Sequence, residues 1–487
     1  MTDENAQSRR RLLELAGVTA SVGGLAALAG CASGTSDDAE GDDGDDSSSD
    51  DGTGDGDGKK DDTEESKSDE EDEKPKSDGP DRPVLFVHGG MGSATQFESQ
   101  AMRFTSNGYP QEYLAAYEYD SLAFEEIQAD VIAGVHERVE RLLAETGADG
   151  VDVLAHSLGT QVLQSYLADP DRAESVANYV NIDGREADSP PGGVPTLALW
   201  ALGNEDAEIG GAKNEFFEQG HVEVATSEEA FGAIYEFLTD DPPETTQIEP
   251  EPADEVTVSG RALVFPDNVG LEGATLEVYA INPKTGAREE TVATQTIKDD
   301  GRWGPLEVDG TDHHEFVVRE CNGVSSHVYR QPELRSNGFV RLLVGEPGGL
   351  TDELVDRGPD HTALVINRDK EWWADQGDAS DELLIDETSV LTDATAPLED
   401  GIVTPMVFDA GEDGETDVTQ PVPAFQALPF LTGINTHIPA ADPPDDVVSV
   451  TGVSRDGDGL ERTVKVPNRP SDEHRMTVHL PDHEQTR

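Results

Sequence analysis

The segment Ala155-His156-Ser157-Leu158-Gly159 has the residue types that expose a serine for nucleophilic attack. It connects a strand-like apolar run to a helical pattern. A serine on such a sharp strand-to-helix turn needs small residues two positions away on either side, and Ala155 and Gly159 supply them. The pattern departs from Gly-x-Ser-x-Gly only in its first alanine, and it predicts that Ser157 is a nucleophile.

A serine hydroxyl needs a base that takes its proton and a carboxylate that orients the base. In hydrolases with this type of turn, the order along the chain is Ser, Asp, His. His221 follows Ser157 before the composition changes at Pro242, and we therefore predict that it is the base. Asp183 and Asp206 each follow a predicted strand, so both are candidates for the carboxylate. Topology alone slightly favours Asp206.

Glycines upstream of Ser157 predict a site for the developing oxyanion. The apolar run Pro83 to Val87 is typical of a strand buried on both faces of a parallel sheet. It leads into His88-Gly89-Gly90-Met91-Gly92, where glycines allow a sharp turn that points backbone N–H groups into a cleft. We assign orienting rather than catalytic roles to His88 and His156.

The elements that position these residues predict an α/β-hydrolase fold with a mostly parallel sheet over residues 83–241. Apolar residues recur at helical spacing between Glu125 and Glu145, which predicts a crossover helix. Further strands are predicted at 176–182 and 196–202, and a further helix at 228–238. The catalytic domain thus alternates strands and helices.

Short β-like runs separated by turns follow a Glu/Pro-rich stretch that ends at Asp254. They predict a β-sandwich domain over residues 255–347 and a second β-rich portion over 348–487. His313-His314 makes a poor metal site, because adjacent strand residues point to opposite faces. We expect no metal and no organic cofactor.

The composition is strongly acidic. The 487 residues include 103 Asp and Glu against 33 Lys and Arg, a formal net charge of −70. Residues 36–81 hold 22 acidic residues and 5 lysines, so most of the negative charge lies elsewhere. This charge argues against nucleic acid as a partner. The spread of negative charge through folded regions predicts a halophilic protein. Molar salt screens the repulsion between these charges, because it reduces the Debye length to about 3 Å.

The N-terminal sequence predicts export and lipid anchoring. Ser8-Arg9-Arg10-Arg11-Leu12-Leu13 precedes an uncharged apolar stretch, as in a twin-arginine signal. Leu28-Ala29-Gly30-Cys31 resembles a lipobox, with Cys31 as the lipidated residue. A short membrane anchor with an incidental cysteine is the alternative, although the apolar run is shorter than the ~20 residues that span a bilayer. We divide this region into a signal over 1–31 and a disordered acidic linker over 32–82.

Several ordered motifs resemble the archaeal two-domain lipase family, typified by the Archaeoglobus lipase. The resemblance covers most of residues 83–440. The motifs that carry it are Phe97-Glu98-Ser99-Gln100, Met102-Arg103-Phe104, Asn107-Gly108-Tyr109-Pro110, Glu118-Tyr119-Asp120, the serine turn, His221-Val222 with Thr226-Ser227 and Phe237, and Phe425-Gln426-Ala427-Leu428-Pro429-Phe430.

The resemblance implies further site assignments. The family's triad acid lies in a Leu-Asp-Gly segment that corresponds to Ile182-Asp183-Gly184, which implies Asp183 as the carboxylate. The oxyanion amides correspond to Gly90 and Leu158. The family's helical lid is missing, because Asp120 reaches the predicted crossover helix at Glu125 almost directly. We therefore expect an open, shallow site that accepts short or water-soluble esters.

These residues and this resemblance predict a serine carboxylic-ester hydrolase, a lipase or esterase that acts outside the cell through an acyl-enzyme. A thioesterase or polyester depolymerase would use the same triad. A surface-anchored binding protein with an inactive hydrolase core is the alternative from another class. The expected partners are an ester or lipid substrate and, through the N-terminal anchor, a membrane.

Overall fold

The computed structural model describes residues 82–483 except 321–322, 346–347, 427 and 456–460. The predicted signal, the lipidation site Cys31 and the acidic linker up to residue 81 lie outside the described residues. Within the described part of the chain, no helix is both long enough and apolar enough to cross a membrane.

A parallel sheet forms the centre of the first domain. Its strands are β1 Val84–Val87, β2 Leu114–Tyr117, β3 Val151–His156, β4 Val176–Ile182, β5 Thr196–Trp200 and β6 Lys213–Phe216. They lie in the order β2-β1-β3-β4-β5-β6, and every adjacent pair is parallel. The accompanying helices are α1 Glu98–Ser106, α2 Phe124–Thr146, α3 Leu158–Leu167, α4 Pro170–Ala173, α5 Glu223–Thr226 and α6 Glu228–Thr239.

Helices cover both faces of this sheet, which is why β1, β3 and β5 are buried along their whole length. Apolar side chains of α2 and α3, such as Val135 and Leu163, pack on one face. Those of α1 and α6, such as Phe104 and Phe231, pack on the other face. The sequence-predicted crossover helix is observed as α2, which ends at Gly147 in the left-handed conformation. The α/β-hydrolase architecture is confirmed.

The connection from β2 to α2 is short. The Asp120 carboxylate accepts hydrogen bonds from the Leu122 and Ala123 amides at 2.9 and 3.1 Å, and α2 begins at Phe124. The chain is described without a gap from 82 to 320, and no lid helix lies between β2 and α2 in this stretch.

The C-terminal half is built from strands. They are β7 Thr257–Phe265, β8 Val269–Gly270, β9 Thr275–Ile281, β10 Arg288–Thr296, β11 Arg302–Glu307, β12 His313–Arg319, β13 Ser325–Arg330, β14 Asn337–Gly345, β15 Leu364–Arg368, β16 Glu382–Ile385, β17 Thr388–Ser389, β18 Thr404–Phe408, β19 Leu431–Asn435, β20 Val447–Val453, β21 Glu461–Pro467 and β22 His474–Leu480. A short helix, α7, spans Leu350–Leu354.

One eight-stranded sheet runs through both predicted β regions, in the order β10-β9-β12-β13-β22-β15-β18-β19. A four-stranded sheet of β11, β7 and β14 with β8 packs on one end of it, and a sheet of β17, β16, β20 and β21 packs on the other. The predicted boundary at 348 therefore does not separate two sheets, because β13 pairs in parallel with the distant β22. Such non-local pairing leaves no local sequence signal.

Two buried ion pairs join the catalytic domain to the β region. Glu98 on α1 contacts Arg330 on β13, and both side chains are almost fully buried. Glu118, which follows β2, accepts a 2.6 Å hydrogen bond from Arg341 on β14. The two regions therefore share desolvated polar contacts as well as apolar ones.

Candidate active site

Ser157 lies at the sharp turn between β3 and α3. Its backbone has φ 52° and ψ −122°, a conformation that non-glycine residues rarely adopt. Glycines permit the close packing that this turn requires: a Cβ on Gly159 would lie 2.4 Å from the Val87 carbonyl oxygen, and a Cβ on Gly89 would lie 2.9 Å from the Ser157 Cβ. The sequence motif therefore produces the strained turn that exposes a serine side chain.

Asp183 and His221 form a direct pair. The Asp183 Oδ2 atom lies 2.5 Å from His221 Nδ1. Asp183 follows β4 with φ 41° and is almost fully buried, whereas the His221 side chain is 31% exposed. Ser157 and His221 line the same cavity. The structure thus places at one site the predicted serine and histidine and the aspartate that the resemblance implied.

The Asp183 carboxylate is held by several donors. Its Oδ1 atom accepts hydrogen bonds from the Ala201 amide at 2.9 Å and from Asn204 Nδ2 at 2.8 Å. Burial acts to raise the pKa of Asp183, but the hydrogen bonds from His221, Ala201 and Asn204 outweigh it and leave the pKa below its usual value. Asp183 is therefore a fixed anion that accepts a hydrogen bond from the His221 ring.

Asp206, the other candidate carboxylate, does not join this site. It is exposed in the loop after β5. The same loop contributes Asn204, whose side chain contacts Asp183. The structure therefore does not support the topological preference for Asp206: the carboxylate that contacts His221 follows β4, and the loop after β5 supplies only a supporting amide.

Two backbone amides are available for an oxyanion. Neither the Gly90 nor the Leu158 amide donates a hydrogen bond within the described residues, whereas the neighbouring Met91 amide donates to Ser121 Oγ at 2.8 Å. Leu158 is the first residue of α3, and the first N–H groups of a helix lack acceptors within it. Gly90 has open space around its Cα, so a larger residue would also fit there.

His156 is a neutral link between two loops of the site. Burial, with the nearby charge of His221, lowers the pKa of His156 to about 3. The His156 Nε2 atom lies 2.7 Å from the His221 carbonyl oxygen, so it carries the proton and donates. The Nδ1 atom then accepts from Gln96 Nε2, and Gln96 Oε1 accepts from the Gly89 amide. His156 thereby fixes the backbone at His221.

His88 has a structural role. It is buried and stacked on Tyr119 with 4.4 Å between ring centroids, and its Nδ1 atom lies 2.9 Å from the Gly89 carbonyl oxygen. Burial is the main cause of its lowered pKa. We find no group of three or more potential metal ligands among the described residues.

The missing lid led to the expectation of an open, shallow site, but the β region adds walls to it. Although the chain has no lid helix between β2 and α2, side chains of the β region line the cavity of about 200 Å³ that Ser157 also lines. Its apolar lining from the β region consists of side chains such as Phe265, Leu343, Val403, Met406 and Phe430. The covering structure comes from residues far along the chain, so the short β2–α2 connection could not reveal it.

Two residues of the β region that sequence reasoning missed contact the His221 loop. The buried Glu371 carboxylate accepts hydrogen bonds from the Val222 amide at 2.5 Å and the Glu223 amide at 3.2 Å. The Phe430 ring stacks on His221 with 6.0 Å between centroids and an interplanar angle of 12°. Phe430 lies in a motif that the resemblance marked, whereas Glu371 carried no local signal.

A parallel sheet with a serine turn after β3, an acid after β4 and a histidine before the last helix defines an α/β-hydrolase. Three family models match the chain in order: Lipase (class 2) over residues 81–169, Lipase C-terminal domain over 254–347, and a model described as a C-terminal domain over 350–484. These matches to a lipase-type catalytic domain and two C-terminal domains, in this order, agree with the resemblance to the archaeal two-domain lipase family that the sequence predicted.

Solved hydrolase structures are similar to about a third of this chain. The Aspergillus fumigatus lipase B is 14% identical, with 34% of this chain and 54% of that chain covered and a TM-score of 0.29. A CIB-like hydrolase from Thermoplasma acidophilum is 15% identical, with 34% and 89% covered and a TM-score of 0.26. A metagenome-derived lipolytic enzyme is 14% identical, with 34% and 95% covered and a TM-score of 0.26. The chain spans about half the length of the Aspergillus lipase that it matches.

Proposed function

We propose that this chain hydrolyses carboxylic esters through an acyl-enzyme on Ser157. His221 takes the Ser157 proton as the hydroxyl attacks the ester carbonyl, and it then returns the proton to the leaving alcohol. Asp183 orients the His221 ring, and the Gly90 and Leu158 amides stabilise the oxyanion. A water molecule then repeats the attack and releases the acid.

The observation that carries this proposal is the Asp183–His221 pair beside a strained serine. A histidine that is held at Nδ1 by a carboxylate presents its other nitrogen to a nucleophile. Unpartnered amides at the start of α3 and in the glycine loop stand ready for negative charge. Packing alone does not explain this arrangement of residues.

The test is hydrolysis of p-nitrophenyl esters with short to long acyl chains, in several molar KCl, by the wild type and Ser157→Ala. We expect the substitution to lower kcat by about 10⁶-fold, because it removes the nucleophile. Ser165→Ala, on the same helix, is the matched control and should retain activity. Equal turnover by the wild type and Ser157→Ala would exclude the proposed mechanism.

We further propose that the enzyme acts outside the cell, tethered by a lipid on Cys31. The twin-arginine pattern and the lipobox-like sequence support this location. Metabolic labelling of the full chain with a lipid precursor tests it. Labelled wild type and unlabelled Cys31→Ser are expected, with Cys321→Ser as the control that keeps the label.

A further inference from the structure

The cavity beside Ser157 contains two arginines that the proposed reaction does not use. Arg357 Nε donates to Asp352 Oδ1 at 2.9 Å. Arg475 donates to both oxygens of the same carboxylate, at 3.0 Å and 3.1 Å. These side chains are mostly buried, and Arg357 and Arg475 both line the cavity.

This arrangement leaves an uncompensated positive charge. Two guanidinium groups share one carboxylate, in a chain where acidic residues outnumber basic ones threefold. Burial lowers the pKa of Arg357 to about 10, which still leaves it charged at neutral pH. The Arg357 Nη groups donate no hydrogen bond to any residue that the structure describes. The two NH₂ groups of Arg357, which lie in one plane, are thus available for an anion.

Polar side chains continue from this pair along the cavity floor. Every second residue of β22 from Arg475 lines the cavity, namely Arg475, Thr477 and His479. Ser326 on β13 lies in register with Arg475, and its buried Oγ atom has no hydrogen-bond partner. The cavity therefore combines apolar walls with a polar strip that ends at a positive charge.

The acid that lines the same cavity opposes this charge only weakly. Burial, followed by the charges of Glu98 and Asp482, raises the pKa of Asp369 well above its usual range. Asp369 lies among the cavity residues, and burial makes its carboxyl harder to ionise than an exposed one, which weakens its repulsion of an anionic ligand. Asp352 is already paired with both arginines.

We propose that Arg357 and Arg475 bind a monoanionic oxygen group on the substrate's acyl chain, so that the enzyme favours esters of acids that carry a second, negatively charged end. The inference rests on the proposed ester hydrolysis at Ser157. In the first step the acyl group is transferred from the alcohol to Ser157 and the alcohol leaves. The acyl group then stays bonded to Ser157 until water releases it as the acid, so the cavity suits the acyl group. A net charge of one matches a carboxylate or a phosphodiester better than a dianion.

The test compares three p-nitrophenyl esters of equal chain length at fixed molar KCl: a hexanoate, a mono-adipate, and an analogue that ends in a methyl phosphodiester. Wild type should show a higher kcat/KM for at least one anionic ester than for the hexanoate. Whichever anionic ester is preferred identifies the oxygen group. Equal or lower kcat/KM for both anionic esters would overturn the proposal.

Variants separate binding from folding. Arg357→Gln should lower kcat/KM for the preferred anionic ester roughly tenfold or more, with the hexanoate changed by less than about twofold. Arg357→Lys, which keeps the charge, should restore part of the loss. Arg319→Gln, whose side chain is 43% exposed on β12, is the control. Equal losses on neutral and anionic esters would show that Arg357 only supports the fold.

If the proposed ester hydrolysis is wrong, the outcome differs from a failure of the anion site alone. If folded wild type hydrolyses none of the esters, the Ser157 mechanism is contradicted. Calorimetric titration of the full chain with monomethyl adipate then tests the anion site alone. Binding to wild type but not to Arg357→Gln would support the site, and identical titrations would contradict it.

Discussion

At the scale of single residues, two members of the candidate triad have strained backbones. Ser157 and Asp183 both have positive φ, at 52° and 41°, although neither is glycine. The Ser157 amide donates to the Ile182 carbonyl at 3.0 Å, and the Asp183 amide donates to the Leu199 carbonyl at 2.7 Å. Neighbouring strands therefore hold both residues in conformations that they would not adopt in an isolated chain.

Asp183→Asn should lower kcat by about 10⁴-fold with little change in fold, because an amide at this position favours the wrong His221 tautomer. Steady-state kinetics on a p-nitrophenyl ester measure the effect. Asp206→Asn is the matched control, since Asp206 is exposed outside the site, and it should remain within about twofold of wild type. A larger loss for Asp206→Asn than for Asp183→Asn would reverse the assignment of the acid.

At the scale of elements, a residue of the β region fixes the short helix that follows the histidine. The Glu371 carboxylate accepts hydrogen bonds from the first amides of α5 and so acts as a cap supplied from another region of the chain. Arg455 binds both the Glu371 carbonyl, at 2.6 Å, and the Glu223 carboxylate, at 2.5 Å. The position of His221 therefore depends on the docking of the β region.

Glu371→Gln should lower kcat roughly tenfold to 100-fold while KM changes little, because its amide N–H₂ faces backbone donors and shifts the His221 loop. Ester kinetics and a thermal unfolding curve should be measured together. Glu382→Gln, an exposed substitution on β16, is the control. A loss of stability with unchanged kcat would show that Glu371 does not position His221.

Arg341→Met should destabilise the protein by about 3–5 kcal/mol, because it leaves the buried Glu118 carboxylate without its charged partner. Chemical denaturation in constant salt measures the change. Arg319→Met removes a half-exposed pair with Glu277 and should cost about 0–1 kcal/mol. Similar effects of the two substitutions would contradict a buried ion pair at the interface.

At the scale of the whole molecule, several buried histidines favour the neutral form. Burial is the main cause that lowers the pKa of His156 to about 3 and the pKa values of His314 and His479 to about 4. An unfolded histidine titrates near 6.5. Between about pH 6.5 and 4 these histidines therefore bind more protons in the unfolded chain than in the folded one, and their contribution to stability falls as pH falls.

We expect His314 to contribute a decrease in unfolding temperature from pH 6.5 to 4, measured in constant molar KCl so that the screening of surface charge stays the same. Thermal melts across this range measure the slope. His314→Gln removes one such group and should make the slope shallower. An unchanged slope in this variant would mean that His314 does not contribute.

Short-range sequence patterns were sufficient to predict the local chemistry. These are short-range patterns: the small residues around Ser157, the buried apolar runs and the helical spacing of α2. Each predicts its own element without information from distant parts of the chain. The order of serine, acid and histidine also followed from the sequence, and the family motif selected Asp183 over Asp206.

The walls of the site, in contrast, depend on long-range packing in the folded chain. The walls of the cavity, the Glu371 contacts and the Arg357–Asp352–Arg475 cluster join residues separated by more than 100 positions from the serine or from one another. The parallel pairing of β13 with β22 creates this arrangement by merging two predicted β regions into one sheet. Strand pairing at such separation depends on packing and hydrogen bonding in the folded chain, and neither leaves a local pattern in the sequence.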